Sequence, residues 1–481
     1  METGRKVCYN ADYKYFAIIH ILPKLAREGV FRLHLIVKDR EFYKNVAGIS
    51  IPIALQGLIT VGVNLLDTMM LGQLGETAIS GSALANQFIG VFQILCMGMG
   101  MGASVLTARY WGMKDGKSLK KSITIMYRFC LGLALLFTVL TALLPAGIMS
   151  LYTNETGVLE LGVTYFRYSL PTYLLMGFSL TTTLVLRSVG QVKLPLISSI
   201  GAFFLNVFFN YCLIFGNFGF PRLEVAGAAI ATVMARVLEF ALICGYFWFV
   251  DKKVAYRLRD FLMKCGDLVK EYFRISFPVL VSDGLLAFGN SVVTSVIGHM
   301  GESFVSANSI TVVTQQLSSV LVQGVSQASA IVTGHTLGRG EVEKARHQGE
   351  AFLGIGMALG LLAGGIIMVL SEPMISAYNL TQETIAIARE LMVAISIIIF
   401  FQAMNSILTK GVLRGGGDTK FLMLGDILFL WVASIPLGAL AGFVWHLPAF
   451  WVYTLLKCDQ IIKAVWCIFR LRSGKWIKKI S

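Results

Sequence analysis

Polar and apolar residues segregate along this chain on the scale of whole helices. Runs without any Asp, Glu, Lys or Arg cover 77–108, 129–154, 168–186, 194–221, 240–250, 303–338, 351–371 and 391–409. Two further runs, 45–75 and 275–300, hold one acid each, Asp67 and Asp283, and 421–456 holds only Asp426. About 20 apolar residues suffice for a helix to cross the hydrocarbon of a bilayer. The longer runs fit one long helix plus a short polar turn, and the pattern predicts twelve spanning helices. The basic residues lie between them. The segments 1–45, 109–128, 187–193, 252–274, 339–346, 410–420 and 470–479 carry 35 of the 41 Lys and Arg, while the alternate loops hold only Arg222. Basic loops stay on the cytoplasmic side. This places both termini in the cytoplasm, as an even number of spans requires, and the protein as a multi-pass protein of the cell (inner or plasma) membrane.

Composition removes the other classes. Of the 481 residues, 14% are charged and 56% hydrophobic, against about 25% and 45–50% in soluble domains. So little charge cannot cover a water-facing surface, and it excludes a disordered chain or a long coiled coil as well. The lipid bilayer is therefore the first partner. The net charge of +14 is explained by loop topology, and no nucleic acid is expected. The eight cysteines form no CxxC motif and sit mostly in apolar runs, as small hydrophobes do. No metal spacing is found among the His and Cys, and no cofactor is expected. Residues 1–45 are mixed apolar and basic and interrupted by Pro23. They read as a cytoplasmic extension or interfacial helix, with a natural start near Val37 as a further expectation.

The chain repeats itself. At an offset of 226, Ile49, Ser50 and Pro52 match Ile275, Ser276 and Pro278; Asn64 and Thr68 match Asn290 and Thr294. Gly72, Gly75 and Glu76 match Gly298, Gly301 and Glu302, and Gly98, Thr107 and Gly112 match Gly324, Thr333 and Gly338. At 227, Arg187, Gly190 and Lys193 match Arg414, Gly417 and Lys420. Six spans per half return each half to the same side, so the two lobes share an orientation and are related by a pseudo-two-fold axis along the membrane normal. The expected fold is thus an all-α membrane protein of two six-helix lobes. Its parts are an extension (1–45), a first lobe (46–250), a cytoplasmic linker (251–270), a second lobe (271–470) and a basic tail (471–481). Repeats of this kind enclose a substrate cavity between lobes that rock against each other. Pro52 and Pro278, as repeat partners, are candidates for kinks that assist gating.

Three stretches resemble motifs of the multidrug and toxic compound extrusion (MATE) family, of bacterial type. They are Leu66–Gly75 (LDTMMLGQLG), Ala108–Asp115 (ARYWGMKD) and Gly411–Thr419 (GVLRGGGDT). The resemblance runs from about 45 to 473. It implies a secondary active exporter of small amphipathic, often cationic, compounds, driven by Na⁺ or H⁺ entering in exchange. Nothing implies an obligate oligomer, and a monomer is expected.

The polar residues inside the spans are the candidate site. Asp67 is the lone acid of its run, and an ionised acid at a helix centre costs about 2.5–3.5 kcal/mol on insertion scales. It must pair, bind a cation or carry a proton. Its repeat partner is Val293, so the acid is not a demand of the shared scaffold. Asn206 and Asn210 lie four apart on one face of the fifth span, with amide oxygens suited to Na⁺. Ala228 and Thr232 are likewise four apart on the sixth. The resemblance implies that these five form the cation site, Ala228 through its carbonyl. Some family members carry Asp at the position of Asn210, which leaves Na⁺ and H⁺ both open. Asp283, Asp426 and Gln315 are candidates for the substrate cavity. Arg236 with Glu239 (i, i+3) and Asp459 with Lys463 (i, i+4) have ion-pair spacing. The absence of P-loop, GxSxG and HExxH motifs leaves ATP-driven transport and hydrolysis unsupported; the chain does not read as an enzyme. The alternative function is a flippase for lipid-linked oligosaccharides or peptidoglycan precursors, which calls for a cationic cavity.

Overall fold

A computed structural model describes residues 39–376, 378 and 380–479; the expectations for residues 1–38, including the start near Val37, lie outside them. All regular structure among the described residues is helical. The first half comprises α1 (Arg40–Gly72), α2 (Glu76–Met113), α3 (Gly116–Leu143), a short α4 (Pro145–Ser150), α5 (Thr156–Ser169), α6 (Pro171–Ser188), α7 (Lys193–Phe215) and α8 (Glu224–Gly245). The second comprises α9 (Gly266–Gly298), α10 (Glu302–Gly338), α11 (Val342–Ser376), α12 (Gln382–Ser406), α13 (Thr419–Asp426), α14 (Ile435–Phe443), α15 (Ala449–Leu456) and α16 (Cys458–Arg472). π-helical turns at Ile407–Leu413 and Ile427–Ser434 continue α12 and join α13 to α14.

Local chemistry sets these boundaries. The Asp39 carboxylate accepts from the Glu41 N–H at 2.9 Å and caps α1, so the helix starts inside the segment read as an extension. α2 stops where Lys114 turns left-handed (φ 59°), and Asp115 then caps α3 by accepting from the Lys117 and Ser118 N–H groups at 3.1 Å. Gly75 and Gly301, repeat partners, both take φ near +110° at the turns that open α2 and α10. Only glycine adopts that conformation without strain. The helices α1 and α9 run unbroken through Pro52 and Pro278.

Nine helices among the described residues are long and apolar enough to cross a membrane, and ten if α5 and α6, bent by 60° at Leu170, form one span. The fold is thus all-α and multi-span. The long helix α10 is too polar to be counted, with Gln315, Gln316, Gln323 and Gln327 along it.

The two halves meet through reciprocal contacts. A Cβ on Gly98 of α2 would lie 2.9 Å from the Leu280 Cα of α9, and one on Gly324 of α10 would lie 3.0 Å from the Ala54 Cβ of α1. Gly98 and Gly324 are repeat partners, as are Leu280 and Ala54. Gly112 and Gly338, also partners, pack on each other: a Cβ on Gly338 would sit 2.8 Å from the Gly112 Cα. Small residues let these backbones approach closely. The contacts lie toward the end that carries the basic loops. There His335 is bonded to the Ser188 carbonyl at 2.6 Å, and Arg109 Nη1 donates to the Lys478 carbonyl at 2.5 Å. Further along α1 and α9, Leu65, Met69 and Phe288 are exposed. The halves are closed at the basic end and diverge at the other.

Candidate functional site

A cavity of about 680 Å³ lies in the first half. Its walls come from α1, α2 and α5 to α8, and only Val320, Gln323 and Gln327 of α10 close it from the second half. Asp67 sits in its wall, half-buried. The Asn210 amide donates to the Asp67 carboxylate at 2.5 Å and to the Asn206 oxygen at 3.2 Å. Asn206 and Asn210 are buried, and the Asn210 side-chain oxygen has no hydrogen-bond partner there. The spacing of four on α7 and the position of Asp67 on α1 therefore converge on one cluster of hard oxygens. Thr232 lines the same cavity. Ala228, one turn earlier on α8, is buried in the core beside Leu71, Tyr165 and Val225.

Other polar residues of the cavity were not legible as site residues. Arg236 Nη1 pairs with Glu239 at 2.7 Å, as their spacing predicts, and both line the wall. Tyr165 donates to Asn86 at 3.2 Å beside them. At the basic end, Arg187 forms the floor. Its Nη1 donates to Gln327 of α10 at 2.6 Å and its Nη2 to Gln56 of α1, whose amide donates to Ser199 of α7 at 2.7 Å. Gln56 lies 11 residues from Asp67, about 16 Å along the helix. Asp67 thus lies about three helical turns from the Gln56–Arg187 floor, and the cavity wall also holds the Arg236–Glu239 pair. The repeat had marked Arg187 as a matched position, and a cation at the end of an apolar span was the signal available.

The three residues expected to line a substrate cavity each have a partner within the protein. Asp283 pairs with Arg414, whose Nη2 donates at 3.0 Å. Asp426 accepts from Lys463 Nζ at 3.1 Å and from the Ser282 hydroxyl, while Lys463 also pairs with Asp459 at 2.9 Å. Gln315 donates to Gln402 of α12 at 2.7 Å. None of the three lines the cavity of the first half. Pro52 and Pro278 are inside α1 and α9, with Pro52 half-buried and Pro278 buried. No group of three or more His, Cys, Asp or Glu among the described residues has the arrangement of a metal site.

Known proteins share this architecture. The chain is 26% identical over 450 residues to a probable multidrug resistance protein NorM of Thermotoga maritima, covering 91% of this chain and 94% of that one. It is 22% identical to the uncharacterized transporter YisQ of Bacillus subtilis, over 94% of this chain and 99% of the relative. Among solved structures, the Vibrio cholerae MATE transporter VcmN in the bent form superposes with a TM-score of 0.81 at 17% identity, covering 91% and 99%. A MOP superfamily transporter from Pyrococcus furiosus gives 0.79 at 20%, covering 90% and 96%. The family model MatE matches residues 52–212 and 278–440, the two halves of the repeat in turn, and the chain belongs to the MatE family.

Proposed function

We propose that this chain is a secondary active multidrug exporter, moving small amphipathic compounds out of the cell in exchange for Na⁺ or H⁺. Members of its family are transporters and not enzymes. The reading has twelve spans in two six-helix lobes, 46–250 and 271–470, joined by a cytoplasmic linker at 251–270, with both termini cytoplasmic. The reciprocal contacts of Gly98 with Leu280 and of Gly324 with Ala54 support a pseudo-two-fold axis, since residues i and j exchange roles across such an axis. With the basic end cytoplasmic, the cavity faces outward. Alternating access then requires the seam at Gly112 and Gly338 to open as the far ends close.

The observation that carries the coupling role is Asp67 against the Asn206–Asn210 pair at the wall of that cavity. A carboxylate held in an apolar span by one amide changes its net charge when it takes up a cation or a proton. A rotation of the Asn210 amide would turn its unpartnered oxygen towards the same point and complete a ligand set of Asp67, Asn206, Asn210 and Thr232, with the Ala228 carbonyl. A cationic substrate competes for the same charge, and that competition is the exchange step. Asp283 and Asp426 would join the transport path only in a conformation that draws Arg414 and Lys463 away from them. One observation favours the flippase alternative: Arg187, on the cavity floor, bonds two amides and no carboxylate. With Arg236 paired to Glu239 and Asp67 in the same wall, the cavity is weak provision for a pyrophosphate.

Transport of a cationic dye into inside-out proteoliposomes tests the reading, with a Na⁺ gradient and a pH gradient imposed separately. The expected result is uptake under one gradient, lost in Asp67→Asn while the protein stays folded. Gradient-driven uptake retained in Asp67→Asn would remove Asp67 from the coupling site. Absence of dye uptake with movement of a lipid-linked precursor would favour the flippase.

A further inference from the structure

A second cavity, of about 490 Å³, opens at the basic end on the seam between the halves. It is built by the break between α2 and α3, by the end of α10 and by the linker. Lys114, Lys253 and Arg339 reach it from these three places, with His335 beside them, and Tyr110 and Trp111 supply aromatic wall. No residue lining it is an acid. The neighbouring carboxylates have partners: Glu271 accepts from the Tyr110 hydroxyl of the wall at 3.4 Å. Asp115 caps α3, and Asp251 accepts from the Val254 N–H at 2.8 Å and from Gln191 at 2.8 Å. Glu341, half-buried, lies 3.5 Å from Arg339 and is shared with Lys344.

Three cations from three separate segments, lining one cavity with no acid in its wall and with Tyr110 and Trp111 beside them, form an anion pocket. Basic pockets between spans on the cytoplasmic side suit anionic headgroups. We infer that this cavity binds a phosphate ester, as the headgroup of an anionic phospholipid or as a soluble phosphate compound. Lys114, in its left-handed turn, ends α2 and Arg339 ends α10, and both line the cavity. These helices come from opposite halves and touch at Gly112 and Gly338. A phosphate held between Lys114 and Arg339 therefore favours the conformation closed at this end, because opening the seam separates its two ligands.

Binding is measured on the purified full chain in phosphatidylcholine nanodiscs, with phosphatidylglycerol added in one arm and glycerol phosphate in the other, thermal stability being the readout. Each of Lys114→Gln, Lys253→Gln and Arg339→Gln should weaken the apparent affinity about fivefold, the effect of one basic residue near an anionic surface. The triple variant should lose about a hundredfold. A control triple, Lys264→Gln, Lys475→Gln and Lys479→Gln, removes the same charge from the same face outside the cavity. Its affinity should stay within about twofold of wild type. Response in the lipid arm alone assigns a headgroup, and response in the soluble arm assigns a free phosphate ester. Equal losses in the two triples, or no response in either arm, would overturn the site.

Discussion

The two halves carry the same helices and settle their buried charges in opposite ways. Arg187 and Arg414 are repeat partners at the ends of matched spans. Arg414 meets a carboxylate, Asp283, whose own repeat partner is Gly57; Arg187 meets only the amides of Gln56 and Gln327. Ser199 bonds Gln56 in the first half, and at the matched positions Asp426 bonds Ser282 and also Lys463, whose match, Arg236, pairs with Glu239 instead. Where the second half has Val293, the first has Asp67, held by an amide. The second half thus neutralises these charges internally; the first pairs Arg236 with Glu239 but leaves Asp67 and Arg187 bonded to amides at the wall of a cavity. The scaffold is common to both, so the difference locates the chemistry. Charges neutralised within the protein hold helices together, whereas charges solvated by amides are available to a ligand. The π-helical turns next to Arg414 and Asp426 have regular α-helix as their counterparts in the first half, in keeping with a backbone adjusted to bring the ion pairs into register.

Breaking one partner of a buried pair is the largest expected effect. Lys463→Met leaves Asp426 and Asp459 buried without their shared ammonium, and removal of one member of such a pair costs about 3–5 kcal/mol. The variant should be nearly absent from the folded membrane fraction, by fluorescence-detected size exclusion. Arg414→Met strands Asp283, half-buried where Lys463 is fully enclosed, and should fall just below Lys463→Met in severity. Arg187→Met strands two amide oxygens, at about 1–3 kcal/mol. It should fold, with a lower unfolding temperature and altered transport. If Arg187→Met proved as destabilising as Arg414→Met, the contrast between the halves would be false.

Sequence spacing revealed what is local. The pairs Arg236–Glu239 and Asp459–Lys463, the convergence of Asn206 with Asn210, and the glycines of the seam all follow from helical period or from the repeat. The partners of Asp283 and Asp426 were invisible because they lie 131 and 37 residues away, and no periodicity links them. Arg187 was noticed as a repeat position, but its role as a floor depends on Gln327, 140 residues on. The charge-free run 303–338 marked α10 as a span, and its glutamines suit a helix on the central seam, where a lipid-facing one could not carry them. Asp67 was legible since an isolated acid is costly wherever its helix packs.

The seam itself should respond next. A Cβ on Gly338 would lie 2.3 Å from the Arg109 carbonyl oxygen, so Gly338→Ala forces α2 and α10 apart at the basic end. Overpacking of this kind costs about 1–3 kcal/mol, and it falls on the closed conformation alone. Spin labels across the basic end should show a larger population of long distances. An unchanged distribution would mean that the glycines serve packing in both conformations.

The smallest change in stability, and the sharpest probe of the first half, is Asn210→Asp. The amide that now holds Asp67 becomes a second carboxylate at hydrogen-bond distance, and two such groups cannot both stay ionised without a cation between them. With the coupling ion present, the stability should remain within about 1 kcal/mol of wild type, since the added ligand replaces the amide contact. The apparent affinity for that ion should rise by about tenfold, because affinity at oxygen sites is tuned by ligand charge. Ion-dependent unfolding temperatures, in Na⁺ titrations at fixed pH and in pH titrations without Na⁺, measure this directly. A steeper Na⁺ dependence identifies a metal-ion site and a steeper pH dependence a proton site. If neither steepens, Asn210 is only a structural clasp for Asp67, and the first half would then resemble the second, with Asp67 fixed by packing.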